Sequence, residues 1–257
     1  MAQLINLEGK KGLIVGIANE SSIAYGCGQA FQAAGAELAV TYLNAKAERF
    51  VRPLGENLDA SIIMPCNVEQ EGELDAVFAQ IEKGWGQLDF IVHSIAFAPL
   101  ADLHGRLIDS SREGFLQAMD VSCHSMLRMA KLAEPLMKQG GCILTMSYYG
   151  ADKAIPNYNL MGPVKAALEA SVRYLALELG EKGIRAHAIS PGPLKTRAAS
   201  GLADFDQLMQ KAQQQSAQKR LVSIEDVGAL AAFMVSDAAA AMTGETLYVD
   251  AGYHIVG

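Results

Sequence analysis

The chain has 257 residues, of which 51% are hydrophobic and 19% charged, and a formal net charge of −7; this suits a globular core and argues against disorder. With no long basic block, nonspecific nucleic-acid binding is not expected. Met1–Lys11 lacks the charged head and apolar run of a signal peptide, and no stretch reaches the roughly 18 unbroken apolar residues of a membrane span, so a soluble cytoplasmic protein with no membrane partner is expected.

In chain order, Gly12–Gly16 reads as a buried strand and Ile23–Ala34 as the helix that follows it. Strands are predicted at Glu37–Tyr42 and Ser61–Cys66, a helix near Glu69–Lys83, and a strand at Phe90–Ser94. A helix around Gly114–Met137 precedes the strand Cys142–Met146, and a helix near Tyr158–Leu179 leads to Ala186–Ser190. Helical stretches and a last strand at Thr246–Val249 complete the pattern. Strands apolar on both faces that alternate with helices indicate a mostly parallel sheet covered on both sides. We therefore expect an α/β fold: one doubly wound Rossmann-type domain over residues 1–257, with seven strands. Cys27, Cys66, Cys123 and Cys142 form no CxxC pair and are expected to be buried, reduced side chains. The five histidines show no metal-ligand spacing, so no metal is expected.

A sheet of this kind binds ligands at the carboxyl ends of its strands. After the first strand, Gly16 permits a tight turn and the next helix offers free N–H groups for a pyrophosphate. Ser22 can cap that helix, bind a phosphate oxygen, or both. An ordinary strand–loop–helix turn explains this loop equally well, because the full G-x-G-x-x-G spacing is missing. The second strand ends at Tyr42-Leu43-Asn44 without the acidic residue that would hold an adenosine ribose. Asn67-Val68 lies where adenine would sit, and His93–Pro99 is small enough for close approach of a dinucleotide.

The richest stretch is Ser147–Lys165. Tyr158 and Lys165 are seven apart, and at about 100° per residue two helical turns return them to one face. Tyr148 ends the preceding strand and can reach the same cleft. Singly, these residues read as a solvated lysine and core-edge aromatics; together, after a βαβ-like start, they make a proton donor and ribose clamp.

These residues resemble the short-chain dehydrogenase/reductase superfamily and, within it, the enoyl-[acyl-carrier-protein] reductases. The resemblance runs end to end, through Gly16-Ile-Ala-Asn…Ser22-Ile-Ala-Tyr-Gly26, His93–Pro99, Ser147-Tyr-Tyr-Gly150, Tyr158–Lys165, Pro191–Gly201 and Ile224–Val227. Ordinary superfamily members use Tyr-x3-Lys with a Ser thirteen residues before the Tyr; those places hold Met161 and Tyr148 here, which disfavours carbonyl reduction. The resemblance implies NADH-dependent reduction of the trans-2 double bond of acyl-carrier-protein-linked enoyl thioesters in fatty-acid biosynthesis. It implies that Gly16, Ser22 and Ile23 contact the pyrophosphate and ribose, Asn67 and Val68 the adenine, and Ser94, Ile95 and Ala96 the middle of the cofactor. Lys165 would bind the nicotinamide ribose, and Leu194 and Thr196 the carboxamide. Ala98 would touch the acyl substrate, Tyr158 the thioester carbonyl, and Tyr148 would orient the substrate or the proton path. Leu43 stands where relatives carry Gln or a basic residue, so NADH is expected in preference to NADPH. A homotetramer built through the long helices near Gly114–Met137 and Tyr158–Leu179 is also implied. Residues 198–216, with Leu202, Phe205, Leu208 and Met209 spaced as an amphipathic helix, are expected to form a substrate-covering flap. The competing readings are another short-chain reductase acting on a carbonyl and a non-catalytic dinucleotide sensor.

Overall fold

The computed structural model describes residues 5–196 and 205–256. The first half runs β1 (Lys11–Val15), α1 (Ile23–Ala33), β2 (Glu37–Tyr42), α2 (Ala45–Asn57), β3 (Ile62–Pro65), α3 (Glu73–Trp85) and β4 (Phe90–His93). There follow α4 (Leu100–His104), α5 (Arg112–Met119), a π-helical turn at Asp120–His124, α6 (Ser125–Ala133) and β5 (Gly141–Met146). The chain continues through α7 (Met161–Leu179), β6 (Ile184–Pro191), α8 (Phe205–Gln215), α9 (Ile224–Val235) and β7 (Thr246–Val249).

All seven strands pair in parallel, in the order β3-β2-β1-β4-β5-β6-β7. Alternate side chains of each strand enter opposite layers, as the period of two requires. Leu13, Val15, Ile91 and Ile143 join α3, α6 and α7 on one face. Ile14, Phe90, Val92 and Leu144 join α1, α2 and α9 on the other. On α7, Leu168, Val172, Leu175 and Leu179 form one buried stripe with the spacing of a helix laid on a sheet. Strand order reverses between β1 and β4, and this switch point opens the crevice in which the site lies.

Two sequence expectations are corrected here, and one helix is added. Tyr158 precedes α7 rather than lying on it: Asn157 and Asn159 have φ of 65° and 40°, and the helix begins at Met161. Two helical turns therefore do not explain how Tyr158 meets Lys165. The helix expected over Gly114–Met137 is interrupted by the π turn, where Ser122 exchanges hydrogen bonds with the Phe97 backbone: its Oγ accepts from Phe97 N (2.9 Å) and lies 3.1 Å from Phe97 O. A helix not expected, α2, is capped by Asn44, whose Oδ1 accepts from the backbone of Lys46 and Ala47.

Candidate active site

Gly16 follows β1 with φ +120°, and a Cβ there would lie 2.1 Å from the Ser94 carbonyl oxygen. Only glycine fits this crossing of the β1 and β4 loops. The chain then turns at Asn19, and Ser22 Oγ accepts from Ala18 N (3.0 Å) and Asn19 N (3.1 Å). Ser22 stands at the N-cap position of α1 but makes no side-chain cap bond. Its hydroxyl braces the loop instead, which closes the helix-cap option and leaves the end of α1 uncapped by a side chain. Such an end carries free N–H groups and partial positive charge, the chemistry that suits a phosphate.

Gly16, Ser22 and Ile23 line a cavity of about 380 Å³ together with Ser94, Ile95, Ala96, Ala98, Tyr148, Tyr158, Lys165, Leu194 and Thr196. The structure thus gathers twelve of the fifteen residues singled out from the sequence. Leu43, Asn67 and Val68 lie outside it, after β2 and β3. Leu43 is exposed, and Arg49 stands over the Phe50 ring, 4.6 Å from its centroid. Asn67 Oδ1 accepts from Glu69 N at 3.1 Å, so one lone pair of the expected adenine acceptor is already used in a turn. Val68 is buried, and its carbonyl accepts from Arg128 at 2.8 Å.

Lys165 is the only charged side chain lining the cavity among the described residues. The residue is 5% exposed, and its ammonium donates to the Met146 carbonyl at 2.6 Å. That bond ties the middle of α7 to the end of β5 and leaves two further N–H groups to donate. Burial lowers the Lys165 pKa to about 8, opposed by Cys123 and Glu169.

The Tyr148 and Tyr158 rings meet at 4.8 Å with planes inclined by 59°. Gly150 makes room for them, since a Cβ there would lie 2.3 Å from the Tyr158 ring. Burial pushes both phenols well above the usual tyrosine range, so each remains an O–H donor. The Tyr148 hydroxyl is buried without a hydrogen-bond partner among the described residues. A buried polar group in that state costs about 1–3 kcal/mol, and a carbonyl or hydroxyl entering the cavity would satisfy it. Met161 is buried and lines the cavity, so a thioether occupies the place of the ordinary superfamily tyrosine.

The sequence reading missed several members of the wall. Phe97, Leu100 and Leu103 after β4 give the cavity its apolar end, joined by Leu208 of α8, which the flap expectation had named. Ser147 lines it as well, with Oγ hydrogen-bonded to Glu169 Oε1. The polar stretch after β5 gave a signal for Ser147; nothing in the local pattern distinguished Glu169 from a solvated helix glutamate. Of the expected flap, 198–204 lie outside the described residues, and Phe205–Gln215 form α8.

The residues fit a nicotinamide dinucleotide: a glycine crossing, an uncapped helix end, small side chains at 94–96 and one buried ammonium along a single crevice. A family model described as enoyl-(acyl carrier protein) reductase matches residues 16–254. The enoyl-[acyl-carrier-protein] reductase [NADH] 1 of Rhizobium meliloti is 48% identical over 258 residues, covering 100% of this chain and 95% of the relative. A crystal structure of the Anaplasma phagocytophilum reductase in complex with NAD has a TM-score of 0.95 at 46% identity, covering 100% of this chain and 97% of that one. The Bacillus cereus reductase, solved with NADP+ and an indole naphthyridinone, has a TM-score of 0.95 at 42% identity, covering 98% of this chain and 100% of that one. The chain belongs to the enoyl-[acyl-carrier-protein] reductase family.

Proposed function

We propose that this protein reduces the trans-2 carbon–carbon double bond of enoyl thioesters carried on acyl carrier protein, using NADH, as a step of fatty-acid biosynthesis. The observation that carries the reading is the meeting of Tyr148, Tyr158 and Lys165 in one cavity beside Gly16 and the uncapped α1, with Met161 where a carbonyl reductase needs tyrosine.

Gly16, Ser22 and Ile23 hold the pyrophosphate and its ribose, Ser94, Ile95 and Ala96 flank the middle of the dinucleotide, and Leu194 and Thr196 meet the carboxamide. Asn67 and Val68 flank the adenine. Lys165 donates to the nicotinamide ribose hydroxyls while Met146 O fixes its ammonium. NADH, when bound, supplies the hydride that adds to the β-carbon. Negative charge then develops on the thioester carbonyl oxygen, and the Tyr158 O–H, held against Tyr148 and Gly150, is aimed to donate to it. Tyr148 offers its unpartnered hydroxyl to the substrate, and Ala98 borders the acyl chain. Protonation at the α-carbon completes the reduction.

α8 forms part of a substrate-covering flap, with Leu208 facing the acyl end. The protein assembles as a homotetramer. Leu43 offers no charge to a 2′-phosphate, which favours NADH over NADPH. Among the described residues no helix is long and apolar enough to cross a membrane, and the four cysteines are free and buried, in keeping with a cytoplasmic protein. Oxidation of NADH by crotonyl or longer enoyl thioesters, run beside NADPH and acetoacetyl thioester, tests the reading. We expect turnover of the enoyl substrates with a higher kcat/KM for NADH; turnover of the acetoacetyl thioester alone would make the protein a carbonyl reductase.

A further inference from the structure

Reduction of an enoyl thioester consumes one proton for every hydride transferred, and the cavity holds its donors deep, with Tyr158 8% and Lys165 5% exposed. Substrate and cofactor would fill the mouth of the cavity, which leaves its wall as the route for that proton. Ser147 sits in the wall, 5% exposed, adjacent in the chain to Tyr148, and its Oγ is hydrogen-bonded to Glu169 Oε1. Glu169 follows Lys165 by one turn of α7 and is half-buried, so its carboxyl lies between the cavity wall and the outside. The charged and titratable groups facing it are Asp152 from the turn after β5, Lys165 and Arg173 from α7, Tyr158 from the turn before α7 and Tyr248 from β7. Burial raises the carboxyl pKa, and the Ser147 hydrogen bond and Arg173 oppose the rise.

We propose that Glu169 and Ser147 form the relay through which the proton consumed in reduction enters the cavity, an inference that rests on the reductase reading above. Glu169 takes a proton from solvent and donates it to Ser147 Oγ as the serine hydroxyl releases its own proton to the cavity side. That proton passes to the α-carbon of the enolate, where it forms the new C–H bond as the carbonyl re-forms, and Glu169 returns to the carboxylate. The electron pair comes with the hydride, so the relay moves protons alone. Glu169 acts through Ser147 and does not touch substrate.

The test is steady-state turnover of an enoyl thioester with NADH across pH, in H2O and in D2O, with and without imidazole buffer. It compares the parent with Glu169→Gln, Ser147→Ala and the double variant. Glu169→Gln keeps the size of the side chain but removes the exchangeable acid. It should lower kcat roughly 10- to 100-fold, leave KM for NADH within about twofold, enlarge the solvent isotope effect and gain rate with imidazolium concentration. Ser147→Ala should behave alike, and the double variant should be no slower than either. Should Glu169→Gln fail to fold, Ser147→Ala carries the same test. Unchanged kcat and isotope effect in both single variants, or a loss of rate with no buffer response, would overturn the relay. An inactive parent would instead sink the reductase reading and the relay with it, whereas an active parent with indifferent variants sinks the relay alone.

Discussion

In the proposed reaction Tyr158 and Lys165 would divide one task, and their surroundings separate the two parts. Tyr158 is seated by Gly150 and Tyr148 as a neutral donor, whereas Lys165 is a buried ammonium held by Met146 O. Tyr158→Phe should lower kcat by roughly 10²-fold, the loss of one donor worth about 3 kcal/mol, with little change in NADH affinity. Lys165→Ala should chiefly weaken NADH binding. With its pKa lowered to about 8, Lys165 is charged below that pH and neutral above it. NADH affinity should therefore fall as pH rises through about 8, and Lys165→Ala should lose that break. Calorimetric titration at several pH values reads both effects, and a parent-like affinity and pH dependence in Lys165→Ala would refute the ribose clamp. At this scale the sequence pointed to Tyr148, Tyr158 and Lys165 through their chemistry, and the structure gathers them in one cavity, although the helical spacing argued for Tyr158 and Lys165 does not hold. It was silent on Glu169 because a helix glutamate ordinarily faces water, and only the fold brings Ser147 against it.

The strands were legible from their two-sided apolar runs, and Glu37–Tyr42 and Thr246–Val249 match the structure residue for residue. The start of α7 was misplaced although a signal existed. Pro163 lacks an N–H and its ring would clash with a helical carbonyl four residues earlier, at Asn159, so the helix has to begin close to Met161. Asn44 offered a cap signal for α2, but the helix buries only Val51 and Gly55 and carries Pro53 inside, so its apolar pattern is weak. At the π turn Ser122 meets Phe97, a contact between distant segments that local periodicity does not carry. The α1–α9 crossing gives a test at the same scale. A Cβ on Gly228 would lie 2.4 Å from the Gly26 carbonyl oxygen, so the two helices meet backbone to backbone. Gly228→Ala should cost about 1–3 kcal/mol in urea unfolding and weaken NADH binding by displacing α1. Gly180→Ala, with no atom within 4 Å of the added Cβ, should change stability by less than about 0.5 kcal/mol. Equal stability of the two variants would contradict the close crossing.

As a whole the molecule leaves apolar surface uncovered on the two long helical segments. Tyr174 and Leu177 of α7 are 69% and 78% exposed, while Phe115 and Leu116 of α5 are also exposed. Packing against second copies would remove this surface from water, as the proposed homotetramer requires. Light scattering at micromolar concentration should give four times the mass of the chain, and a monomer would count against it. The parallel architecture was legible because β1, β2 and β4 are apolar on both faces, so helices had to cover both. What the reductase assignment claims above all is where the hydride goes. Turnover of crotonyl thioester with NADH deuterated at the transferable position, followed by mass spectrometry and NMR of the product, measures this directly. The deuterium should appear on the β-carbon of a saturated acyl thioester, with a solvent hydrogen on the α-carbon. Deuterium on a former carbonyl carbon, or a double bond left intact, would contradict the assignment.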